Sequence, residues 1–477
     1  MSLNIQLREF EPVDNHIPKG SETMKQLCEL LAVPESGCID EFCRELQKRV
    51  DLSSAKDIYL LNQSADAAPR LFSKLGSVQW TQGYVGVLQF SIPWKKEPKK
   101  DPEQVTVEIC SRFDKGRESH FLMYVFEKTF GTRGKLYDEM QIPGYATKTW
   151  DLLLTATFVQ HLHDALKKGM FRQYKEYERN DDRLSGRIDI ARHLKQNMLF
   201  SGRIAYTSRE YTVDNPINTL ILRAFDRLDR DHHALLRNLI AKDDVVKQGI
   251  QLLKAEVLDW QKPSEDTVLR DAERKIAQSV YRNYEPLRKT SIAVLKRMGV
   301  NAFVRSESTI TGMLIDMPKL WEEFLYNTIF KEYTGASGKY QQERYPILGG
   351  ARFAEPDFLL REQSLVLDAK YKSGWGDSLT GDWSKLRNDV YQIISYALIF
   401  NCRFCGVVFP VSEDAAPDEA LLSVPIGQQC SDTCFLRIPY VIPQNTFDGD
   451  AYRQAFAESD QRIINTLQKL KRQVSSV

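Results

Sequence analysis

The stretch Leu365-Val-Leu-Asp-Ala-Lys-Tyr-Lys372 decides the fold of the last third of this chain. It has the composition of an apolar strand, and residues two apart on a strand share a face. Asp368, Lys370 and Lys372 therefore project together, while the intervening apolar residues face the core. A carboxylate and an ammonium group on one face of such a strand indicate a chemical role, although an edge-strand ion pair gives the same pattern.

A second strand precedes this one across a tight turn. Pro356-Asp-Phe-Leu-Leu360 is followed by the turn Arg361-Glu-Gln-Ser364, and antiparallel pairing would bring Asp357 near Asp368. Two adjacent carboxylates suit Mg²⁺, which prefers one or two carboxylates together with water and substrate phosphate. We therefore predict a Mg²⁺ site at which Lys370 orients or deprotonates a water molecule, or stabilises charge that develops on phosphorus.

Helices on both sides of this hairpin contribute further candidates. The preceding one, around Trp321, places an acid at the border of its buried face, either Glu322 or Glu323, and we choose Glu322. The following one sets two polar side chains four residues apart on one helical face, where they can hydrogen-bond a phosphate. Each residue alone has an ordinary structural explanation, but the ordered set is rarely accidental. The predicted catalytic residues are Glu322, Asp357, Asp368, Lys370, Gln392 and Tyr396, and the predicted metal ligands are Asp357, Asp368 and Glu322.

The ordered set resembles the PD-(D/E)xK nuclease core, and Gln392 with Tyr396 is similar to its Gln-x-x-x-Tyr variant. Longer stretches are more specific: Val107-Glu-Ile-Cys-Ser-Arg-Phe113, Leu184-Ser-Gly-Arg-Ile-Asp189, Asp214-Asn-Pro-Ile-Asn218, Asp316-Met-Pro-Lys-Leu-Trp-Glu-Glu-Phe324, Pro356-Asp-Phe-Leu-Leu360, Asp368-Ala-Lys-Tyr-Lys372 and Asp389-Val-Tyr-Gln-Ile-Ile-Ser-Tyr-Ala397. They resemble the McrC family, the nuclease subunits of McrBC-type 5-methylcytosine restriction systems. The resemblance implies that Asp357, Asp368 and Lys370 are catalytic and that Glu322 is the helix acid.

The resemblance also implies a subunit that does not act alone. McrC-like proteins dock through an N-terminal finger into a hexamer of the AAA+ GTPase McrB, stimulate its GTP hydrolysis and cut DNA once translocation stalls. Here the polar segment Trp94–Pro102 joins two predicted strands, Tyr84–Ile92 and Gln104–Ser111, into a hairpin. From composition alone the segment is a solvated turn. Our candidates for entering the partner's pore are the lysines of this tip, Lys95, Lys96, Lys99 and Lys100.

The chain has 477 residues, too many for one compact core. We predict a multidomain α+β protein with three domains. Residues 1–149 form a mixed region with the β-hairpin finger, residues 150–299 a mainly helical middle domain, and residues 300–477 an α/β PD-(D/E)xK restriction-endonuclease-like domain. The middle domain contains a basic stretch, Lys167–Arg203, whose Arg183 and Arg187 are candidate DNA contacts together with Lys372, although such charges commonly lie on solvated helix faces.

Charge and composition exclude several classes. A net charge of +1 excludes a nucleic-acid-binding coat over the whole surface, but a local basic groove remains possible. No apolar run is long enough to cross a bilayer and no basic leader precedes an apolar segment, so we expect a cytoplasmic protein with no membrane partner. The spacing of four thiols would suit a zinc ion, although small buried cysteines are common in apolar strands. Those thiols belong to Cys402, Cys405, Cys430 and Cys434.

The leading hypothesis is a Mg²⁺-dependent DNA endonuclease subunit of a McrBC-like, modification-dependent restriction complex. Nothing in the chain indicates a pocket that reads a base, so specificity would belong to the partner. The alternatives are a McrC-like subunit of a sequence-specific restriction system, a non-catalytic activator of an AAA+ motor, and a plain DNA-binding module that uses the basic stretch. Because one active site breaks one strand at a time, a double-strand cut would need two visits or a transient dimer.

Overall fold

The chain folds into two compact units. One unit combines Met1–Trp150 with Ala302–Val477, and the other is Asp151–Asn301. The first and third predicted domains thus form one unit rather than two. The computed structural model describes residues 2–53, 58–61, 69–95, 102–114, 119–130, 146–199, 202–296, 310–331, 344–372, 374–375, 383–416, 422–426, 433–444 and 451–475.

The helices and strands of the described residues are named here in chain order. The helices are α1 (Glu22–Leu31), α2 (Glu35–Ser53), α3 (His120–Phe130), α4 (Ala146–Leu166), α5 (Ile190–Gln196), α6 (Pro216–Asp231), α7 (His233–Ile240), α8 (Asp244–Glu256), α9 (Glu265–Asp271), α10 (Tyr284–Leu295), α11 (Met317–Leu325), α12 (Trp383–Phe400) and α13 (Ala451–Ser475). The strands are β1 (Ser2–Arg8), β2 (Ile58–Leu61), β3 (Phe72–Leu75), β4 (Val78–Thr81), β5 (Tyr84–Ile92), β6 (Glu103–Cys110), β7 (Gln173–Asp181), β8 (Arg187–Ile188), β9 (Ile204–Thr212), β10 (Ile310–Asp316), β11 (Tyr345–Ile347), β12 (Arg352–Ala354), β13 (Phe358–Leu360), β14 (Leu365–Ala369), β15 (Phe404–Ser412), β16 (Leu422–Pro425) and β17 (Cys434–Ile442). None of these helices combines the length and the apolar character that a bilayer crossing requires.

A five-stranded sheet with the order β1-β6-β5-β10-β2 joins the two ends of the chain. The predicted hairpin is confirmed, because β5 and β6 pair antiparallel. The strand β10 comes from the C-terminal part, yet it pairs antiparallel with β5 and parallel with β2. The backbones approach closely there, since a Cβ on Gly312 would lie 2.1 Å from the carbonyl oxygen of Val87. This pairing explains why residues 1–149 and 300–477 are not separate domains.

The helices α1 and α2 cover this sheet with apolar side chains. Ser21 caps α1 by accepting a hydrogen bond from the backbone amide of Met24, as the preference for serine at this position predicts. Leu27 and Leu46 from the helices and Leu88 from the sheet are fully buried in one cluster. The base of the hairpin is therefore fixed in a packed core.

A second five-stranded sheet in the same unit carries the decisive stretch, in the order β13-β14-β15-β17-β16. The strand β13 pairs antiparallel with β14, and β14 continues through α12 into the parallel strand β15. All residues of β14 are buried, including Asp368 on the face opposite the predicted core side. The helices α11 and α12 both pack against β14, so neither face is open to solvent.

The middle unit contains a sheet in addition to its helices, which the sequence analysis did not predict. Its helices α6 to α10 accompany a three-stranded antiparallel sheet with the order β7-β9-β8. The strand β7 is polar and largely exposed, so its sequence lacks the apolar alternation by which strands are recognised. Cross-strand partners of opposite charge, Glu176 opposite Arg209 and Lys175 opposite Glu210, favour its pairing with β9.

The segment Asp214-Asn-Pro-Ile-Asn218 has a structural role at the start of α6. Asn215 accepts a hydrogen bond from the backbone amide of Asn218 and caps the helix. The side-chain amide of Asn218 donates to the carbonyl oxygens of Phe171 (2.8 Å) and Val213 (2.7 Å). These bonds satisfy buried backbone groups, so a structural role explains both asparagines and no catalytic role is needed.

Asp114 makes the stability of the first unit dependent on pH. It is 5% exposed, and its carboxylate accepts a hydrogen bond from the backbone amide of Phe121 in α3. Burial raises the pKa of Asp114 to about 7. The effect of burial exceeds that of the two backbone amides that donate to the carboxylate and lower its pKa. Between about pH 4 and pH 7 the unfolded chain therefore binds fewer protons at this residue than the folded one, and the free energy of unfolding falls as the pH rises.

We expect Asp114→Asn to remove this fall. As the pH rises, the unfolding free energy of the variant should increase relative to that of the wild type. The increase should be at most about 1.4 kcal/mol per pH unit, or roughly 2 kcal/mol from about pH 5 to about pH 7. Urea unfolding followed by tryptophan fluorescence at several pH values measures it. Parallel pH curves for the two proteins would contradict the assignment.

Candidate active site

Two aspartates from neighbouring strands lie side by side at the end of β14. The register pairs Phe358 with Leu367, so its continuation sets Asp357 opposite Asp368. The Asp357 Oδ2 accepts a hydrogen bond from the Ala369 backbone amide at 2.8 Å, and Asp357 and Asp368 each influence the pKa of the other. The hairpin thus brings the two predicted carboxylates together.

The two carboxyl groups occupy an environment that disfavours their negative charge. Burial raises the pKa of Asp368, which is only 4% exposed, although Lys370 partly opposes the shift. Burial also raises the pKa of Asp357 well above its ordinary value, and the charges of Asp368 and Glu322 raise it further. Glu322, and not its neighbour Glu323, is among the principal influences on Asp357, which favours Glu322 as the helix acid.

Lys370 lies between β14 and α12. Its Nζ is 2.5 Å from Asp368 Oδ2 and 3.7 Å from Asp389 Oδ1, and it donates to Gln392 Oε1 at 3.4 Å. Burial alone would lower the pKa of Lys370, but Asp368, Asp389 and Asp357 together raise it above the ordinary value. The surrounding carboxylates thus favour the ammonium form of Lys370, which is the form that stabilises negative charge.

Gln392 and Tyr396 join the same group from one face of α12. Gln392 Nε2 donates to the Tyr396 hydroxyl at 3.0 Å, and that hydroxyl donates to the Glu355 carbonyl oxygen at 3.4 Å. Burial raises the pKa of Tyr396, and the charges of Asp368 and Asp357 act in the same direction. The predicted pair thus lies within electrostatic reach of both carboxylates.

Sequence reasoning missed Asp389, the residue that links the two lysines. Asp389 is 6% exposed on α12, and both of its oxygens accept from Lys372 Nζ, at 2.9 and 3.0 Å. It also lies 3.7 Å from Lys370 Nζ. The available signal was its position three residues before Gln392, which places it on the same helical face.

The donor groups fit a magnesium ion better than an ion that needs many protein ligands. Among the described residues, no three His, Cys, Asp or Glu side chains lie close enough to hold a metal ion. The available donors are the paired carboxylates of Asp357 and Asp368, and Mg²⁺ commonly takes one or two carboxylates with water and phosphate. The assignment of Glu322 as a third Mg²⁺ ligand stays a prediction. The zinc question also stays open, since Cys402, Cys405 and Cys434 are free thiols while Cys430 lies outside the described residues.

The two predicted DNA contacts of the middle unit lie on its surface. Arg183 and Arg187 are exposed on either side of Gly186. Other cations of the same basic stretch are paired within the unit, such as Arg179 with Glu210 and Lys175 with Asp214, each at 2.6 Å. The stretch is thus less available to an anion than its composition indicates.

The predicted docking lysines are only partly described. Lys95 Nζ lies 2.9 Å from Glu41 Oε1 of α2, and its backbone amide donates to the Leu30 carbonyl oxygen. Lys95 is therefore held at the base of the hairpin. The remaining lysines of the tip, Lys96, Lys99 and Lys100, lie outside the described residues.

Comparison with solved structures finds similar chains in complexes from Thermococcus gammatolerans. One belongs to a half-complex from a tetradecameric assembly of Thermococcus gammatolerans McrB AAA+ hexamers with bound McrC; the identity is 15%, 98% of this chain and 100% of that chain are covered, and the TM-score is 0.48. Another belongs to the Thermococcus gammatolerans McrBC complex, with 14% identity, 68% and 86% coverage and a TM-score of 0.30. A search of curated proteins finds no match.

The family comparison covers the hairpin, the middle unit and most of the candidate site. A model of the McrBC 5-methylcytosine restriction system component matches residues 80–410. This span is more than half of the 477 residues and includes Asp357, Asp368 and Lys370. The protein therefore belongs to the McrBC 5-methylcytosine restriction system component family.

Proposed function

We propose that this protein is the Mg²⁺-dependent DNA endonuclease subunit of a McrBC-like, modification-dependent restriction complex and that it hydrolyses phosphodiester bonds. The observation that carries the proposal is the buried pair of carboxyl groups, Asp357 and Asp368, beside the ammonium group of Lys370. Membership of a restriction-component family supports it.

The local fold supports a PD-(D/E)xK nuclease. The helix α11 carries Glu322 and packs against β14, and Asp357 directly precedes β13. Asp368 and Lys370 follow at the end of β14, and α12 then supplies Gln392 and Tyr396. This order of acids and lysine on a helix, two strands and a second helix is that of the superfamily resemblance.

The electrostatics of the carboxylate pair support a divalent cation. Burial raises the pKa of both Asp357 and Asp368, and the charge of Asp368 raises that of Asp357 further, so a cation bound by them would relieve an unfavourable interaction. We propose these two residues as the Mg²⁺ ligands, with Glu322 as the third acid. When bound, Mg²⁺ supplies Lewis-acid activation of the phosphate and a lowered pKa for water.

The other side chains would hold the scissile phosphate. The ammonium group of Lys370 would stabilise negative charge that develops on the phosphate oxygens. Gln392 and Tyr396 would orient it by hydrogen bonds. Lys372, whose side chain is 54% exposed, would contact the DNA backbone outside the site, as Arg183 and Arg187 would from the middle unit.

We propose that the partner is a McrB-like AAA+ GTPase hexamer. The Thermococcus gammatolerans McrC chain is bound to McrB AAA+ hexamers. In the present chain the docking element would be the hairpin of β5 and β6, whose base is packed against α1 and α2. Double-strand cleavage would then use a transient dimer that presents two active sites to one DNA.

Cleavage by the reconstituted complex tests this proposal. The chain would be produced together with a McrB-like AAA+ GTPase and incubated with GTP, Mg²⁺ and a plasmid that carries 5-methylcytosine. We expect cleavage of the methylated plasmid, none of the unmethylated plasmid and none with a chelator. Cleavage of unmethylated DNA at a fixed sequence would favour a sequence-specific system. Stimulated GTP hydrolysis without any cleavage would indicate a non-catalytic activator and contradict the proposal.

A further inference from the structure

Tyr371, the residue directly after Lys370, is anchored by side chains from the beginning of the chain. It is 2% exposed and follows the last residue of β14. We propose that Glu9 and Arg112 are positioning residues that act through Tyr371 to fix the Lys370 ammonium group in the candidate active site. The inference rests on the proposed nuclease function and goes beyond it, because it assigns part of the site to the N-terminal sheet.

Arg112 holds the main chain of Tyr371. It lies shortly after β6, the second strand of the hairpin, and its Nη2 donates to the Tyr371 carbonyl oxygen at 2.7 Å. The guanidinium carbon lies 4.9 Å from the centre of the Tyr371 ring, with Phe10 and Phe113 at similar distances. The guanidinium group therefore has one fixed orientation among aromatic rings.

Glu9 holds the other end of the tyrosine. It follows β1, is fully buried, and accepts a hydrogen bond from the Tyr371 hydroxyl at 2.5 Å. Ser111 donates to the same Glu9 oxygen at 3.1 Å. The ring of Tyr371 is thus fixed at its hydroxyl by Glu9 and at its backbone by Arg112.

These contacts matter because the sheet stops constraining the chain at Lys370. The Lys370 backbone amide donates to the Val408 carbonyl oxygen at 3.0 Å, one residue beyond the end of β14. The next hydrogen bond that fixes the main chain is the one from Arg112 to Tyr371. Without it, the backbone that carries Lys370 would be held from one side only, and a displacement of about 1 Å at a reacting group costs on the order of a hundredfold in rate.

The tyrosine also touches the helix that bears the predicted third acid. Its ring centroid is 6.2 Å from that of Trp321, which directly precedes Glu322 on α11. The ring of Phe121 from α3 stacks with the ring of Tyr371, and their centroids are 6.3 Å apart. One buried side chain thus connects β1, β6, α3 and α11 to the residue next to Lys370.

If Glu9 and Arg112 only stabilised the fold, polar side chains would not be required at these positions. A buried charged side chain such as that of Glu9 is often no more stabilising than an apolar group of the same volume, and aromatic neighbours already surround Tyr371. In addition, Glu9 Oε2 and Arg112 Nη1 have no hydrogen-bond partner among the described residues. Directional bonds that fix a position account for these polar groups better than packing does.

The same unit contains a matched control. Glu127 accepts hydrogen bonds from the Tyr452 hydroxyl at 3.2 Å and from Arg453 at 3.1 and 3.2 Å. This cluster has the same three residue types and is also buried, but it joins α3 to α13. Arg453→Met therefore reports what the loss of a comparable network does to stability alone.

The test compares Arg112→Met, Tyr371→Phe, Glu9→Leu and Glu9→Gln with Arg453→Met in the full chain with its AAA+ partner, on 5-methylcytosine plasmid with Mg²⁺. We expect Arg112→Met, Tyr371→Phe and Glu9→Leu to lower the single-turnover cleavage rate about ten- to a hundredfold, with DNA affinity and GTPase stimulation unchanged. Glu9→Gln should restore most of the rate, because an amide oxygen still accepts from Tyr371. Hydrogen exchange should speed up at residues 369–372 in Arg112→Met and not in Arg453→Met.

Two results would overturn the inference. Cleavage rates of the three variants equal to that of Arg453→Met would reduce the network to a structural element. Faster exchange at residues 369–372 without slower cleavage would show that Lys370 needs no such anchor. A wild-type complex that does not cut DNA at all would instead refute the proposed function and the inference together.

Discussion

Replacement of Asp368 or Lys370 by alanine is expected to abolish DNA cleavage and to leave stimulation of the partner's GTPase largely intact. Asp368 is buried next to Asp357, and Lys370 Nζ lies 2.5 Å from its carboxylate. Either change removes a group that we place at the phosphate or its metal. A loss of about a hundred- to a thousandfold in the cleavage rate is the size expected for a group that stabilises developing charge.

The conservative variants Asp368→Asn and Lys370→Met separate chemistry from folding. Both keep the approximate volume of the side chain, in the buried strand β14 for Asp368 and directly after it for Lys370, so they avoid the cavity that alanine leaves. GTP hydrolysis by the partner, measured in the same reactions, shows whether the subunit still folds and docks. Cleavage that survives both changes would place the active site elsewhere in the chain.

Reversal of charge at the hairpin tip should have the second largest effect. Lys95→Glu, Lys96→Glu, Lys99→Glu and Lys100→Glu together should lower GTPase stimulation by at least about tenfold, because charges that steer and dock one protein on another act mainly on association. Cleavage should fall with it, since it depends on the partner. The measurement is GTP hydrolysis by the AAA+ protein as a function of the concentration of this subunit.

Lys95 needs its own control in that experiment. It pairs with Glu41 at the base of the hairpin, so Lys95→Glu alone repels α2 and tests local stability rather than docking. The variant that reverses only Lys96, Lys99 and Lys100 should therefore carry most of the loss. Stimulation that is unchanged in the triple variant would remove the hairpin tip from the interface.

The elements with a local signal were predicted well from the sequence. The apolar pattern gave β5 its observed bounds, Tyr84–Ile92. The tight turn after Leu360 set the register that places Asp357 opposite Asp368. In these cases neighbouring residues alone determine the structure.

The elements without a local signal were missed. The position of β10 beside β5 depends on residues more than two hundred positions away, which no local pattern records. The polar strand β7 is held by cross-strand pairs rather than by a buried face. The network of Glu9 and Arg112 around Tyr371 joins the ends of three strands that only the folded chain brings together.

Binding of Mn²⁺, which substitutes for Mg²⁺ and is visible by electron paramagnetic resonance, tests the central claim most directly. The claim is that Asp357 and Asp368 form a metal site. The full chain with DNA should take up Mn²⁺ at a site that the double variant Asp357→Asn, Asp368→Asn lacks, while an Asp226→Asn control on the middle unit keeps it. Equal Mn²⁺ uptake by the wild type and the double variant would contradict the account.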